Sequence, residues 1–237
     1  MDKLSERIGL YDLWVVFFPG IISMFELLLF AGAFWSVYRN RSLFMVLEKI
    51  APDNIQIWIV IIIISIFLGI IIQELGRVLR RVTKYKSAAD NLFDSNNGVL
   101  TEKERACFRR LFKKYGWSGE YTGSSKEIFH RINVDAQEIG VATRYAKLNV
   151  LQNMSLSLSA SMLCGAVASF SLFVFGIING RIHIALIMIA ILIVCIILMM
   201  MFYSRYKRFD RYWVRNIIYA MSAENAGAEK KENEKGH

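Results

Sequence analysis

Few of the residues that build catalytic or ligand-binding sites occur in this chain of 237 residues. Its three histidines, His130, His183 and His237, have no metal-ligand spacing to one another or to the cysteines, which removes the familiar zinc patterns. His130-Arg131 falls on an amphipathic stretch and reads as a surface pair. No phosphate loop, GxSxG elbow or dinucleotide fingerprint is present. We therefore expect no enzymatic activity, no cofactor and no small-molecule substrate. The three cysteines imply no disulfide framework, because Cys164 and Cys195 lie inside apolar runs and Cys107 in a basic middle region. With only two prolines, long helices can run with little interruption.

What the chain does have is apolar length. Hydrophobic residues make up 55% of it, and they gather into four runs: 13–35, 57–72, 156–178 and 182–202. Each approaches or exceeds the roughly 20 residues that a helix needs to cross hydrocarbon. Lipid offers backbone groups no water, so such runs must be helical. The expected fold is all-α: a polytopic membrane protein with four transmembrane helices, two plus two, and a helical region between the pairs. The expected division is 1–72 for the first pair, 73–155 for the middle region, 156–203 for the second pair, and 204–237 for a basic helix and a tail.

Charge sets the expected orientation. The net charge is +9, and residues 73–150 hold 15 Lys/Arg against 9 Asp/Glu. After the fourth run, Arg205, Lys207, Arg208, Arg211 and Arg215 face only Asp210 as a counter-charge. By the positive-inside rule the middle region and both termini are cytoplasmic. Ala31-Gly32-Ala33 has the look of a signal-peptidase site, but Pro19 and Glu26 interrupt the preceding run and the first residues lack a positive bias. A retained anchor is the expectation.

The middle region shows helical punctuation. The second run is expected to continue as a basic helix to about Lys86, and Asp94–Gly98 is a turn cluster. Thr101 and Glu104 form a capping-box pattern ahead of Phe108, Leu111, Phe112 and Tyr115 at helical spacing. Ser124 and Glu127 repeat it, and Ile128, Phe129, Ile132, Ile139, Ala142 and Tyr145 mark a long helix running into the third apolar run. From about Ala223 the tail is small, charged and unpatterned, and is expected to be disordered.

Three features are candidates for function. Glu26 is an acid near the middle of the first run, and Pro19 and Ser23 share its helical face. A carboxylate at that depth is costly facing lipid, so it should face the bundle. It serves either gating or ion passage, or packing satisfied by hydroxyls of the third run. Second, Ser157, Ser161, Gly165 and Ser169 repeat every four residues, with Ala160, Cys164 and Ala168 beside them, and Ser65 and Gly69 form a shorter row. Such rows allow close helix approach. They suit packing within the bundle, or a homo-oligomer with a hydroxyl-lined pore. Third, Arg77, Arg80, Arg81, Lys84 and Lys86 form one basic cluster and Arg205–Arg215 another, the latter interleaved with Phe202, Tyr206, Phe209 and Trp213. Anionic headgroups of the bilayer are the expected contact. A cytoplasmic regulatory protein or a nucleic acid is the alternative.

Tyr11-Asp12-Leu13-Trp14 followed by Phe18-Pro19-Gly20, leading into the first run, resembles the start of small multi-span inner-membrane effectors encoded in bacterial antiphage defence operons. The resemblance covers this motif and the two-plus-two layout. It implies a protein held silent by a partner, which oligomerises and damages or depolarises the membrane when triggered. No catalytic residues carry over, since such effectors act by assembly. The alternative is a small channel, transporter subunit or membrane scaffold with a housekeeping role.

Overall fold

The computed structural model describes residues 2–39, 55–92, 99–101, 104, 108–115 and 125–235. The regular structure of the described residues is all-helical, with no strand among them. The helices are α1 (Asp2–Arg39), α2 (Ile55–Val82), α3 (Arg109–Lys114), α4 (Ser125–Glu138), α5 (Val141–Ile178) and α6 (Ile182–Lys235). Four of them, α1, α2, α5 and α6, are long and apolar enough to cross a membrane. The turn cluster at 94–98 and the cap at Ser124 lie outside the described residues.

The chain divides into two units, Met1–Lys84 with Asn153–Tyr206, and Tyr85–Gln152 with Lys207–His237. In the first, α1 lies antiparallel to α2: a Cβ on Gly20 would meet the Ser65 carbonyl oxygen at 1.8 Å, and one on Gly69 would meet that of Val16 at 2.0 Å. These glycines let two backbones touch where any side chain would hold them apart. The α1 and α5 helices run parallel. Ser23 bonds Ser161 near one end of their contact, and Phe34 stacks on Phe175 at 5.3 Å near the other. Ala33, Val37, Leu172, Ile184 and Met188 form a buried cluster joining α1, α5 and α6. This up-down-up-down order puts the chain's exit from α2 and its entry into the unit's part of α5 at the same end of the unit.

Large apolar side chains stay exposed around this unit, among them Trp58, Ile62, Phe67, Ile71, Ile193, Ile197 and Met201. A solvated protein seldom shows so continuous an apolar surface, whereas lipid tails accept it. Along α1, Trp14 stacks on Phe18 at 4.8 Å, and Arg39 sits 5.0 Å over the Trp35 ring. Trp14 and Trp35 are separated by about 31 Å at the helical rise, the thickness of a hydrocarbon core. Aromatic rings at such levels mark the two interfaces.

The second unit has its own core. Phe108, Leu111, Phe112 and Tyr115, the stripe expected from the sequence, are buried against Ile128, Phe129, Ile132 and Ala136 of α4. The capping box is present: the Thr101 N–H donates to Glu104 Oε2 at 2.8 Å, and the Glu104 N–H to Thr101 Oγ1 at 3.4 Å. The core also takes in Leu92, Leu100 and, from α6, Val214, Ile217, Ile218 and Met221. The stretch 204–237, expected as a basic helix and a disordered tail, thus supplies a full apolar face to this unit. The helix persists to Lys235, because Ala, Glu and Lys are strong helix formers even without an apolar stripe.

Two other expectations are corrected at helix ends. α2 stops at Val82 rather than near Lys86, because Thr83 Oγ1 donates back to the Leu79 and Arg80 carbonyls at 2.9 and 3.1 Å and Lys84 turns left-handed (φ 50°). The helix expected to run unbroken into the third apolar run instead breaks at Gly140 (φ 74°), whose N–H reaches the Gln137 carbonyl at 3.1 Å. That is the left-handed stop for which glycine is suited. Ile139, assigned to the apolar stripe, is consequently 52% exposed.

Candidate functional site within the apolar helix unit

Glu26 lies about 18 Å along α1 from Trp14 and 14 Å from Trp35, so it sits near the midplane defined by the two aromatic levels. Ser161 of α5 donates its hydroxyl to Glu26 Oε2 at 3.0 Å, and the Ser161 and Ser23 hydroxyls are 2.9 Å apart. Glu26 Oε1 is buried and has no hydrogen-bond partner. It fits beside Gly165, where a Cβ would come within 2.7 Å of that oxygen and 3.2 Å of Cys195 Sγ on α6. Three helices therefore converge on one carboxyl group. The apolar runs around it contain no Lys or Arg, and their one histidine, His183, lies about 18 Å along α6 from Cys195 at the helical rise.

The other members of this face take related places. Pro19 is fully buried in α1, and its missing N–H deprives the Val15 carbonyl of its usual helical donor. Ser157 is buried and bonds back to the Asn153 carbonyl at 3.1 Å. Ser169 is 0% exposed, and its hydroxyl has no hydrogen-bond partner. Ser65 donates to the Ile61 carbonyl at 2.8 Å while its own carbonyl meets Gly20. The adjacent row behaves differently: Ala160 is buried, but Cys164 is exposed.

The serine and glycine rows are thus turned inward, against helices of the same chain. The structure also reveals participants that sequence reading passed over. Ser159 donates to the Met199 carbonyl at 3.1 Å, tying α5 to α6, and Thr83 Oγ1 lies 2.6 Å from the Tyr203 hydroxyl, tying the end of α2 to α6. Gly20 is a further packing contact, between α1 and α2. Its signal was a small residue on the first run with a matching Ser65–Gly69 row on the second.

The basic clusters divide. Arg77 pairs with Glu74 at 2.6 Å on the exposed side of α2, and Arg81 and Lys84 are exposed, with Arg80 half-buried. In the second unit, Arg208 and Arg211 are exposed, whereas Lys207 lies 5.5 Å over the Tyr85 ring. Arg205 is exposed as well, at the end of the first unit. Arg215 pairs with Glu104, which also accepts a hydrogen bond from the Tyr219 hydroxyl. Burial alone would push the Glu104 carboxyl up, but bonds from Tyr219, Thr101 and Arg215 outweigh it and hold the carboxyl down at about 2.

Asp210, expected only as a counter-charge, is instead the polar centre of the second unit. It is 2% exposed and accepts from the Ala88 N–H at 2.6 Å, the Tyr85 hydroxyl at 3.0 Å and the Gln152 amide at 3.0 Å. A buried carboxylate with these donors is satisfied, so it fixes structure rather than reacting. Among the described residues no group of His, Cys, Asp and Glu is placed to hold a metal ion.

No protein-family model, curated protein or solved structure matches the chain.

Proposed function

We propose that this protein is a membrane effector, of the kind that antiphage defence operons encode, which perturbs or depolarises the bacterial inner membrane by rearranging and assembling with further copies. The observation that carries the reading is the polar seam at the middle of an apolar unit, where Ser23, Ser161 and Gly165 are buried and Glu26 is half-buried with its Oε1 enclosed. A bundle built only as an anchor is more stable with aliphatic side chains there, since a buried carboxyl with one unpartnered oxygen costs stability. With the seam closed against α1, the membrane unit is in a silent arrangement. Parting α1 from α5 would expose a row of hydroxyls and one carboxyl, the lining that an ion path requires. The second unit, with a core of its own, suits the role of a cytoplasmic receiver for a regulatory protein or nucleic acid, and the exposed arginines suit anionic headgroups.

A housekeeping channel, transporter subunit or scaffold could use the same seam, and toxicity separates the two readings. The protein is expressed alone and with its operon partners while a potential-sensitive dye is followed in cells. Collapse of the potential with growth arrest is expected. A dye signal unchanged in both conditions removes the effector reading. Glu26→Leu should insert normally, having lost a desolvation cost, and depolarise less than the wild type at equal inserted amount. Glu26→Gln should be milder because it keeps the hydrogen bond from Ser161.

A further inference from the structure

We propose that Glu26 is a proton-binding site inside the apolar unit, loaded and unloaded through the Ser161–Ser23 hydroxyl pair. This stands apart from the effector reading, since a proton site would serve a transporter subunit equally well.

The argument begins with accounting for hydrogen-bond partners. An ionised carboxylate offers about four lone-pair sites, and here it receives one hydrogen bond, at Oε2. Its other oxygen is enclosed beside Gly165 with no donor. The titratable groups nearest it are the thiols of Cys195 on α6, whose Sγ lies beside Gly165, and of Cys164, the exposed neighbour of that glycine on α5. Neither carries positive charge. An unpaired carboxylate in such surroundings is strongly disfavoured, so the arrangement suits the neutral acid.

The contacts at 3.0 and 2.9 Å then have two self-consistent directions. In the loaded state Glu26 Oε2–H donates to Ser161, and Ser161 donates to Ser23. In the unloaded state Ser23 donates to Ser161, and Ser161 donates to the carboxylate. One proton passing along the chain interconverts them. The carboxyl proton moves to Ser161, the Ser161 proton moves to Ser23, and the Ser23 proton leaves to water or an acceptor beyond. Each hydroxyl is rebuilt, and the net change is one proton lost. Gly165 contributes by keeping Oε1 in place, for a methyl group there would push the carboxyl aside.

A metal cation fits less well. Glu26, Ser23 and Ser161 supply at most four side-chain oxygens, while hard cations such as calcium take about six to eight.

The test uses the full chain in lipid nanodiscs. Dicyclohexylcarbodiimide adds its whole mass to protonated carboxyl groups sheltered from water, and peptide mass spectrometry locates it. Labelling is expected at Glu26, falling as pH is raised, and lost in Glu26→Gln. The carboxylic-acid carbonyl band in infrared difference spectra should vanish in the same variant. Ser161→Ala should keep the label but shift its pH dependence, a readout that a packing role alone would not move. Absence of both label and band in protein that retains its helix content overturns the site. Protection of Glu26 by sodium at fixed pH overturns the choice of proton over metal. An unshifted pH profile in a well-folded Ser161→Ala overturns the hydroxyl route.

Discussion

Lys84 carries a left-handed backbone (φ 50°) where its N–H closes on the Arg81 carbonyl at 3.0 Å, the position that Gly140 and Gly180 occupy at the ends of α4 and α5. A non-glycine residue there costs about 1 kcal/mol or more. Glycine would relieve that strain and lose part of the gain through unfolded-state entropy. Lys84→Gly should therefore stabilise the protein by less than about 1 kcal/mol, read as a rise of a few degrees at most in the thermal midpoint. Glu104 is a second single-residue case. Its carboxyl is held at about 2 against an ordinary 4.5, so its cluster contributes fully above pH 4.5 and is lost as pH falls towards 2. Acid titration of the Tyr219 near-ultraviolet signal should show a change in that window which Glu104→Gln abolishes. The Thr101–Glu104 cap was legible because its spacing is local. Arg215 and Tyr219, more than a hundred residues further on, were not, since no local pattern announces a partner brought in by tertiary packing.

At the scale of helices, the small-residue rows announced close approach but not the partner. The third apolar run was read as suiting either internal packing or a pore, and its serines and glycine, on α5, meet α1 and α6 of the same chain. A helix's sequence shows which face is narrow, while the identity of the facing helix depends on the whole bundle. Gly20→Ala and Gly69→Ala should each force the α1 and α2 backbones apart, since the added methyl would fall within about 2 Å of a carbonyl oxygen. Folded yield in detergent should drop sharply for both. Leu163→Ala, on a face 36% exposed, should be mild. Normal yield for both glycine variants would mean that this crossing does not hold the bundle together. The tail of α6 escaped the sequence for another reason. Its apolar face, Val214, Ile217, Ile218 and Met221, is interrupted by arginines and tyrosines on the opposite side, so charge counting hid a regular stripe.

For the whole molecule, hydropathy alone located the four long helices, because twenty-residue apolar runs have few other solutions. The division into parts was less legible: the C-terminal stretch belongs with the middle region through core contacts that span the chain. The parallel α1 and α5 agree with an even number of crossings on each side of the middle region. Reporter fusions after Lys86 and after Arg215 should therefore report the same side and one at Arg41 the opposite side, and the excess of Lys and Arg makes the shared side the expected cytoplasmic one. Opposite signals from the first two would break the two-plus-two order.

The convergence of α1, α5 and α6 at Gly165 has a practical consequence. Cys164 is exposed while its near neighbour in space, Cys195, is only 6% exposed and lies beside the same glycine. The chain thus carries a native pair of thiols, one facing lipid and one shielded among helices, and neither meets water for as long as these helices stay together. With Cys107 replaced by serine, a membrane-permeant maleimide, which needs a thiolate, should leave both untagged in the closed bundle and tag them once the helices part and admit water. The extent of tagging is then a clock for opening, recorded in living cells without any engineered probe.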